Sequence, residues 1–466
     1  RDLFVSLFGA FSATYTPSSE QRHVVSVHFY NSREMETYDI DGSYFLDNAK
    51  EGDSKQPNVS DNLSALATGT NMEHARNRLR YTLATLSYSN LLQLKQGHLL
   101  KGGLSARLED VNDFISEWTR RDSAGYNIPH NGETLDMIYS LRARNTLNAK
   151  RIETYVQDTW NFKTNDSIPT LFRLNYGVRY AYWNFNGESI VSPRASLNIT
   201  PGWNRNLSFR VAAGLYYQAP FYKELRDTAT VNGVIYASLN KKTRSQRSIH
   251  ALASMSYRFT MMNRPFKFTA EAYYKAISRL VPYTVDNVKV TYFGDKQTSG
   301  HATGLDLKLF GEFVPGADSW LTLSVMNTAM KLNGKNVPLP TDQRFALNLF
   351  FTDYFPGSTR WRMSLKLAYA DGLPFSAPHQ ELSSNSFRAP AYKRADIGMS
   401  YRIFDNNDGS HHSIFRNVWV GVDCLNLFGI NNVNSYYWIT DISGQQYAVP
   451  NYLTGRQINA KLSVEF

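Results

Sequence analysis

Residues Gly455 to Phe466, GRQINAKLSVEF, alternate apolar and polar side chains without a break. Ile458, Ala460, Leu462, Val464 and Phe466 fall on one face; Gln457, Asn459, Lys461, Ser463 and Glu465 fall on the other. Successive side chains of a strand point to opposite faces, so this stretch is a strand with one oily and one hydrated face. Such a strand suits the middle of a soluble sandwich or the closing strand of a barrel in lipid, and the rest of the chain has to decide.

The same alternation recurs. Leu207, Phe209, Val211, Ala213, Leu215 and Tyr217 oppose Ser208, Arg210, Ala212, Gly214, Tyr216 and Gln218. Leu174, Tyr176, Val178 and Tyr180 oppose Arg173, Asn175, Gly177 and Arg179; Phe266, Phe268, Ala270, Ala272 and Tyr274 oppose Lys267, Thr269, Glu271, Tyr273 and Lys275. Strands of about ten residues exceed the five or six usual in soluble sheets. No run of 18 apolar residues exists, which excludes a transmembrane helix but not a barrel, whose strands are half polar. With 29 Tyr and 27 Phe, the chain has ample aromatics for the girdles of such a barrel.

The connections are of two kinds. Short turns marked by Gly, Pro, Asn or Ser are expected at Pro17–Gln21, Lys95–Gly97, Thr164–Pro169, Thr200–Asn206, Met261–Pro265, Val314–Ser319, Phe355–Thr359 and Asp405–Ser413. Opposite them lie mostly longer connections, at about Thr37–His74, Asp122–Asn148, Ala219–Ser245, Val281–Gly300, Asp371–Pro390 and Gly429–Thr454, with brief ones at Asn186–Ser189 and Asn333–Pro340. Eight short turns give sixteen strands and the last strand makes seventeen. Single-chain bacterial barrels have even counts, and Asp2–Tyr15 already reads as a strand behind an Arg1 that is no start methionine, so a front part is expected to be missing. The fold class is therefore all-β: a transmembrane antiparallel β-barrel, about 17 strands of a probable 22, over residues 1–466.

Several stretches, taken together, resemble the barrel of TonB-dependent outer-membrane receptors of the Bacteroidota type. They are Val156-Gln157-Asp158-Thr159-Trp160, Gly177-Val178-Arg179-Tyr180, Ser192-Pro193-Arg194-Ala195-Ser196-Leu197, Tyr216-Tyr217-Gln218-Ala219-Pro220-Phe221-Tyr222, Gly372-Leu373-Pro374-Phe375, Tyr392-Lys393-Arg394-Ala395-Asp396-Ile397-Gly398, and the C-terminal run from Leu425-Asn426-Leu427-Phe428 through Asn451-Tyr452-Leu453-Thr454-Gly455-Arg456 to Phe466. Residues before about 150 match in pattern only. The resemblance implies a 22-stranded barrel plugged by an N-terminal domain, driven by the TonB complex and importing a scarce ligand such as a siderophore, haem, peptide or glycan. This chain departs from that plan: it shows no plug, no TonB box and about five fewer strands. A passive channel and a structural component of a larger outer-membrane complex are the alternatives.

The implied location is the bacterial outer membrane, with lipid and lipopolysaccharide around the wall and a surface lipoprotein, or other chains completing the barrel, as possible partners. Tyr216, Phe221 and Tyr222, where a strand enters a long loop, and Tyr436, Tyr437 and Trp438 in the last long loop are ligand-binding candidates; the same aromatics suit an outer girdle. Arg173, Arg179, Arg210, Lys267, Glu271 and Lys275 are expected to face the lumen, either steering an anionic ligand or forming a wall of ion pairs. Phe466 looks like the terminal aromatic recognised by barrel-assembly machinery. His411-His412 sits in a short turn and Asp39, Asp41, Asp47, Glu51 and Asp53 lack EF-hand spacing, so no metal site is assigned. The single Cys424 allows no disulfide and reads as a small hydrophobe. No cofactor and no catalytic signature is found: there is no G-x-S-x-G, H-E-x-x-H or P-loop, so the chain is not read as an enzyme. Net charge is +10 without a basic run or recognition motif, which gives no support to nucleic-acid binding.

Overall fold

The computed structural model describes residues 1–46, 67–122, 136–286, 289–314, 317–376, 387–405, 414–440 and 446–465. Within them one antiparallel meander forms the wall: β1 (Asp2–Ser18), β2 (Gln21–Leu46), β3 (Ala67–Gln93), β4 (His98–Asp122), β5 (Asp136–Lys163), β6 (Leu171–Trp183), β7 (Glu188–Thr200), β8 (Leu207–Gln218), β9 (Gln246–Met261), β10 (Arg264–Leu280), β11 (Thr298–Val314), β12 (Ala317–Leu332), β13 (Phe345–Phe355), β14 (Ser358–Ala370), β15 (Tyr392–Asp405), β16 (Asn417–Leu425) and β17 (Gln457–Glu465). These are the seventeen strands expected from the alternation. Each pairs with its sequence neighbours, and β17 pairs with β16 in the register Asn417↔Glu465 to Leu425↔Gln457. Among the described residues no pairing joins β17 to β1, whose one partner is β2.

One face of the wall is apolar and exposed, with Leu104, Leu108, Val156, Val178, Val211, Ile249, Leu305, Val325, Ile458 and Leu462 all open. An apolar face of this extent is stable only against lipid, and the opposite face, carrying Arg173, Arg179, Arg194 and Arg210, is the lumen. Two aromatic belts border the apolar face. At the short-turn end the outward rings touch in series: Trp160–Phe162 at 4.5 Å, Phe162–Phe172 at 5.0 Å, Phe259–Phe266 at 5.7 Å, Phe313–Phe351 at 5.1 Å and Trp361–Tyr401 at 4.7 Å between centroids. The other belt includes Tyr180, Tyr274 and Tyr369. The belts are separated by eight residues on each of β6 (Phe172 to Tyr180), β10 (Phe266 to Tyr274) and β14 (Trp361 to Tyr369).

Six of the expected short turns fall where the sequence places them, while Val314–Ser319 and Asp405–Ser413 lie partly outside the described residues. The tops of the strands do not fall where the sequence places them. The sequence reading stops β2 near Thr37 and begins β5 near Asn148, yet β2 to β5 run for 26, 27, 25 and 28 residues against 13 for β6 and β7. Above the lipid neither face of a strand has to be apolar, so the alternation that reveals the lower part fades while the backbone ladder continues. The exposed edge of upper β5 above the low β6–β7 hairpin is filled by a loop strand, Val234–Leu239, paired in parallel with Leu141–Ala143. Loop hairpins also form at Tyr283–Asp286 with Lys289–Tyr292 and at Val433–Thr440 with Gln446–Tyr452.

Facing decides the effect of a charge. Val178→Arg, on the lipid face between the belts, is expected to lower unfolding stability by about 2–4 kcal/mol, whereas Asn175→Arg on the lumen face leaves it within about 1 kcal/mol. Chemical denaturation of the barrel in lipid vesicles measures both.

Candidate functional site

The lumen face of β4 to β8 holds a cavity of about 480 Å³ lined by Lys101, Tyr155, Arg179, Arg194, Arg210 and Tyr216 together with Gln157, Asn175, Ser192 and Ser196. No carboxylate is among its lining residues. Two glycines shape it. Gly214 lies between Arg194 of β7 and His250 of β9 in the cross-strand register. Because Gly214 has no side chain, the Tyr216 ring folds down over it; an added Cβ would stand 3.0 Å from Tyr216 Cε2 and 3.1 Å from Arg194 Cγ. Tyr216 stacks on His250 at 4.3 Å, and the Arg194 guanidinium sits 4.2 Å from its ring centroid. Tyr155 folds over Gly103 in the same way, with an added Cβ only 2.3 Å from its ring, and Arg179 lies 5.7 Å from that ring. The aromatic rings therefore lie flat on the wall, and the cationic heads stand around them.

Of the six lumen charges expected from the sequence, Arg179 has a carboxylate partner, Glu153 at 3.9 Å. Arg173 donates from Nε to Asn161 Oδ1 at 2.8 Å, and the Lys275 ammonium lies 5.4 Å from the Tyr273 ring centroid. Among the described residues Arg210, Lys267 and Glu271 make no ion pair, and Glu271 stands directly across from Asp306. Arg194, Lys101 and His250 were not singled out by sequence reasoning. Arg194 and Lys101 could have been found by listing every charge on the hydrated face of adjacent strands.

Several ion pairs lie elsewhere, under the long loops. Asp113, nearly buried on β4, accepts from the Tyr222 hydroxyl at 2.7 Å and from Arg226 at 2.7 Å. Burial and the Asp113 carboxylate push the Tyr222 phenol well above its ordinary range, so it remains a donor. Next to it Leu225, fully buried, packs on Val111, Leu147, Ala149 and Trp183 of the lumen face, which draws the β8–β9 loop inward. Glu188 accepts from Ser245 N at 2.9 Å and Oγ at 2.5 Å and pairs with Arg279 at 3.1 Å. Asp342, 1% exposed, accepts from Thr328 N at 2.7 Å and pairs with Arg388, whose Nη1 also donates to Gly372 O at 3.0 Å. Asp396 pairs with Arg394 at 2.7 Å and accepts from Asn426 N at 2.8 Å. Each buried acid clamps a loop to a strand.

Of the aromatic candidates, Tyr216 lines the lumen cavity, Phe221 packs edge-on to Tyr292 at 5.0 Å, and Tyr222 is the clamp just described. Tyr436 stacks on Phe375 at 4.7 Å, and Trp438 stands 6.1 Å from the same ring; with Leu373, Pro374 and Val433 they line a second, apolar pocket of about 130 Å³. The side chains of Tyr437 and Phe466 lie outside the described residues, as do His411, His412, Asp47, Glu51 and Asp53. Asp39 is held by Arg76 at 2.5 Å and His74 at 2.6 Å. Among the described residues no three His, Cys, Asp or Glu side chains converge as a metal site.

A lipid-facing meander with short turns at one end, long clamped loops at the other and a polar lumen defines the wall of an outer-membrane-type barrel. The family described as "TonB dependent receptor-like, beta-barrel" matches residues 6–454, and the chain belongs to it. No curated protein matches. The fold is shared with the ferric-catecholate import receptor Fiu of Escherichia coli K12 (TM-score 0.63, 12% identity, 100% of this chain and 64% of that one). It is shared also with the outer-membrane transporter YddB of Escherichia coli (0.55, 12%, 100% and 69%) and with BauA, the ferric preacinetobactin receptor of Acinetobacter baumannii (0.53, 12%, 99% and 63%). The chain thus spans less than two thirds of the length of Fiu.

Asp342→Asn removes the charge that Arg388 answers inside a buried site. It is expected to destabilise the loop cluster by about 3 kcal/mol and to speed protease cleavage in the 371–391 connection, without shifting cleavage in the short turns. Time-resolved limited proteolysis with mass mapping checks this.

Proposed function

We propose that the chain forms most of the wall of an energised outer-membrane importer, and that its cargo is a compact anion bearing aromatic or other flat groups, of the ferric-siderophore kind. The observation that carries the ligand class is the lumen cavity: four cationic side chains, two flat-lying tyrosines and no lining carboxylate. Three of these cations, Lys101, Arg194 and Arg210, have no ion-pair partner among the described residues and attract an anion through a low-dielectric wall, and tyrosine faces give a chelate flat surface to slide on. The clamped loops at the other end support a rigid mouth that passes one shape of cargo. The names of the solved relatives Fiu and BauA, receptors for ferric chelates, point the same way.

We further propose that the wall is completed by strands pairing with the free edges of β1 and β17, on a 22-strand plan, because unpaired backbone groups in hydrocarbon cost several kcal/mol each. A plug in that lumen would couple transport to the TonB complex. A surface lipoprotein over the loops and insertion through Phe466 belong to the same reading.

The test is uptake by cells that depend on this receptor. Arg194→Gln with Arg210→Gln is expected to lower uptake of an anionic ferric chelate by about tenfold or more, as losing a charge-assisted contact does. Wild-type uptake should fall as salt rises and the variant's should fall less, and an uncoupler should abolish uptake in both. Undiminished uptake in the double variant would overturn the ligand class. Uptake that persists with the uncoupler, or a large steady conductance of the native protein in planar bilayers, would overturn energised import in favour of passive flow.

A further inference from the structure

The connection after β14 opens with Gly372-Leu373-Pro374-Phe375, a run that takes no part in the lumen cavity. It is built to be rigid. The chain passes so close to its own return that an added Cβ on Gly372 would collide with the Ala389 carbonyl, and Ala389 N donates to Leu373 O at 3.0 Å. Pro374 then stands opposite Arg388, and Phe375 opposite Phe387, in a short ladder. Arg388 is the residue pinned to buried Asp342, so the foot of this wall is fixed. The facing wall is the loop hairpin Val433–Thr440 with Gln446–Tyr452, between β16 and β17. Its foot is fixed by Asn432, whose side chain accepts from Lys393 N and donates to Lys393 O, each at 2.8 Å. The Asn432 backbone O accepts from Leu453 N at 2.8 Å. A register shift between Val433 and Ser435 lets Val433 and Tyr436, of opposite parity, line one cavity.

That cavity is the apolar pocket of about 130 Å³ between the two walls. Phe375 is its hub: it stacks on Tyr436 at 4.7 Å with 26° between the planes, and Trp438 stands 6.1 Å away. Val285 of the β10–β11 connection and Pro340 of the β12–β13 connection complete the lining, so residues of four connections meet there. No lining residue is charged. Burial pushes the Tyr436 phenol above its ordinary range, so that ring stays neutral. Protein interiors pack without voids of this size, because side chains that are free to relax close them. Here rings and prolines stand on pinned feet and cannot move in. An apolar cavity of about 150 Å³ stays dry and takes benzene, so a pocket of this size accepts one six-membered ring and excludes two fused ones.

We propose that this pocket binds one neutral, single-ring aromatic group, and that the group is a pendant ring of the imported cargo, separate from its anionic part. The volume sets one ring, the uncharged lining sets neutrality, and the faces and edges of Phe375, Tyr436 and Trp438 favour an aromatic over an aliphatic group. Only the assignment of the ring to the cargo rests on the import reading; the pocket's own chemistry does not. The pocket lies among the loops and the cationic cavity lies in the lumen of β4 to β8, so the two sites read different parts of one molecule.

The test uses the full chain, folded in neutral detergent and labelled with fluorotryptophan, with p-cresol, p-toluate and 1-naphthol as probes at matched free concentrations. The Trp438 fluorine resonance is assigned from its loss in Trp438→Phe. In the wild type p-cresol is expected to shift it saturably, p-toluate to need a concentration about tenfold higher or more, and 1-naphthol to leave it in place. Ala389→Leu and, independently, Val433→Phe fill the pocket and should raise the p-cresol midpoint by about tenfold or more, while Lys241→Gln in the β8–β9 loop keeps it. Folding of each variant is checked by the gel shift between unheated and heated samples. In cells that depend on the receptor, an anionic ferric chelate bearing a phenyl ring should reach half-maximal uptake at a concentration about tenfold below its ring-free analogue. Ala389→Leu should erase that difference without lowering maximal uptake. No saturable shift with p-cresol, an equal midpoint for p-toluate or 1-naphthol, or an unaltered midpoint in both filled variants would overturn the site. A wild type that takes up the two chelates alike would overturn the ring as part of the cargo. Failure of the import reading shows separately, as uptake that survives the uncoupler, and leaves the resonance shifts untouched.

Discussion

The structure depends on one constraint: a backbone that crosses hydrocarbon must pair every amide with another strand. A residue in water can leave its N–H to solvent; in lipid that choice is gone. The meander meets the demand with sixteen consecutive antiparallel ladders, and alternation then sorts the side chains to lipid or lumen with no further instruction. Irregular backbone appears at the ends of strands, where water or a clamp is available. Among the described residues, β1 pairs with β2 alone and β17 with β16 alone.

Charge is divided between two tasks. Three acids lie singly under the loops, each surrounded by donors: Asp113 by a tyrosine and an arginine, Glu188 by a serine and an arginine, Asp342 by a backbone amide and an arginine. A buried carboxylate with several donors is stable, whereas one with none would be costly, so these acids fix the loops firmly. Several cations of the wall are left without such partners. That is how a chain with a modest positive balance presents a strongly positive surface in the lumen of β4 to β8.

Much of the wall was legible because lipid imposes a rule on sequence. Period-two alternation, short turns such as Lys95–Gly97 and Met261–Pro265, and the strand count could all be read from residues 1–466. The upper halves of β2 to β5 were not legible, since above the lipid both faces meet water and residues such as Glu36, Thr37 and Asn77 carry no periodic signal. The site was half legible. Facing placed Arg179, Arg210 and Tyr216 on the lumen, but their meeting with Arg194 and His250 needs cross-strand register, and the Gly214 gap that joins them has no meaning in one strand alone. The clamps were illegible for a related reason: Asp113 and Tyr222 are far apart in sequence and meet through a loop whose path no local pattern encodes.

The eight-residue interval between the aromatic belts acts as a ruler. Eight residues span about 27 Å along a strand, and at a tilt of about 40° they rise only about 21 Å along the membrane normal. A bilayer with an ordinary hydrocarbon core of about 30 Å would have to thin around this wall or leave apolar lipid against polar side chains. The interval repeats on β6, β10 and β14, so the same mismatch recurs at three separate places along the wall. The wall therefore carries its own address: it rests without distortion in a thin membrane and is disfavoured, by a fraction of a kcal/mol for each ångström, in a thicker one.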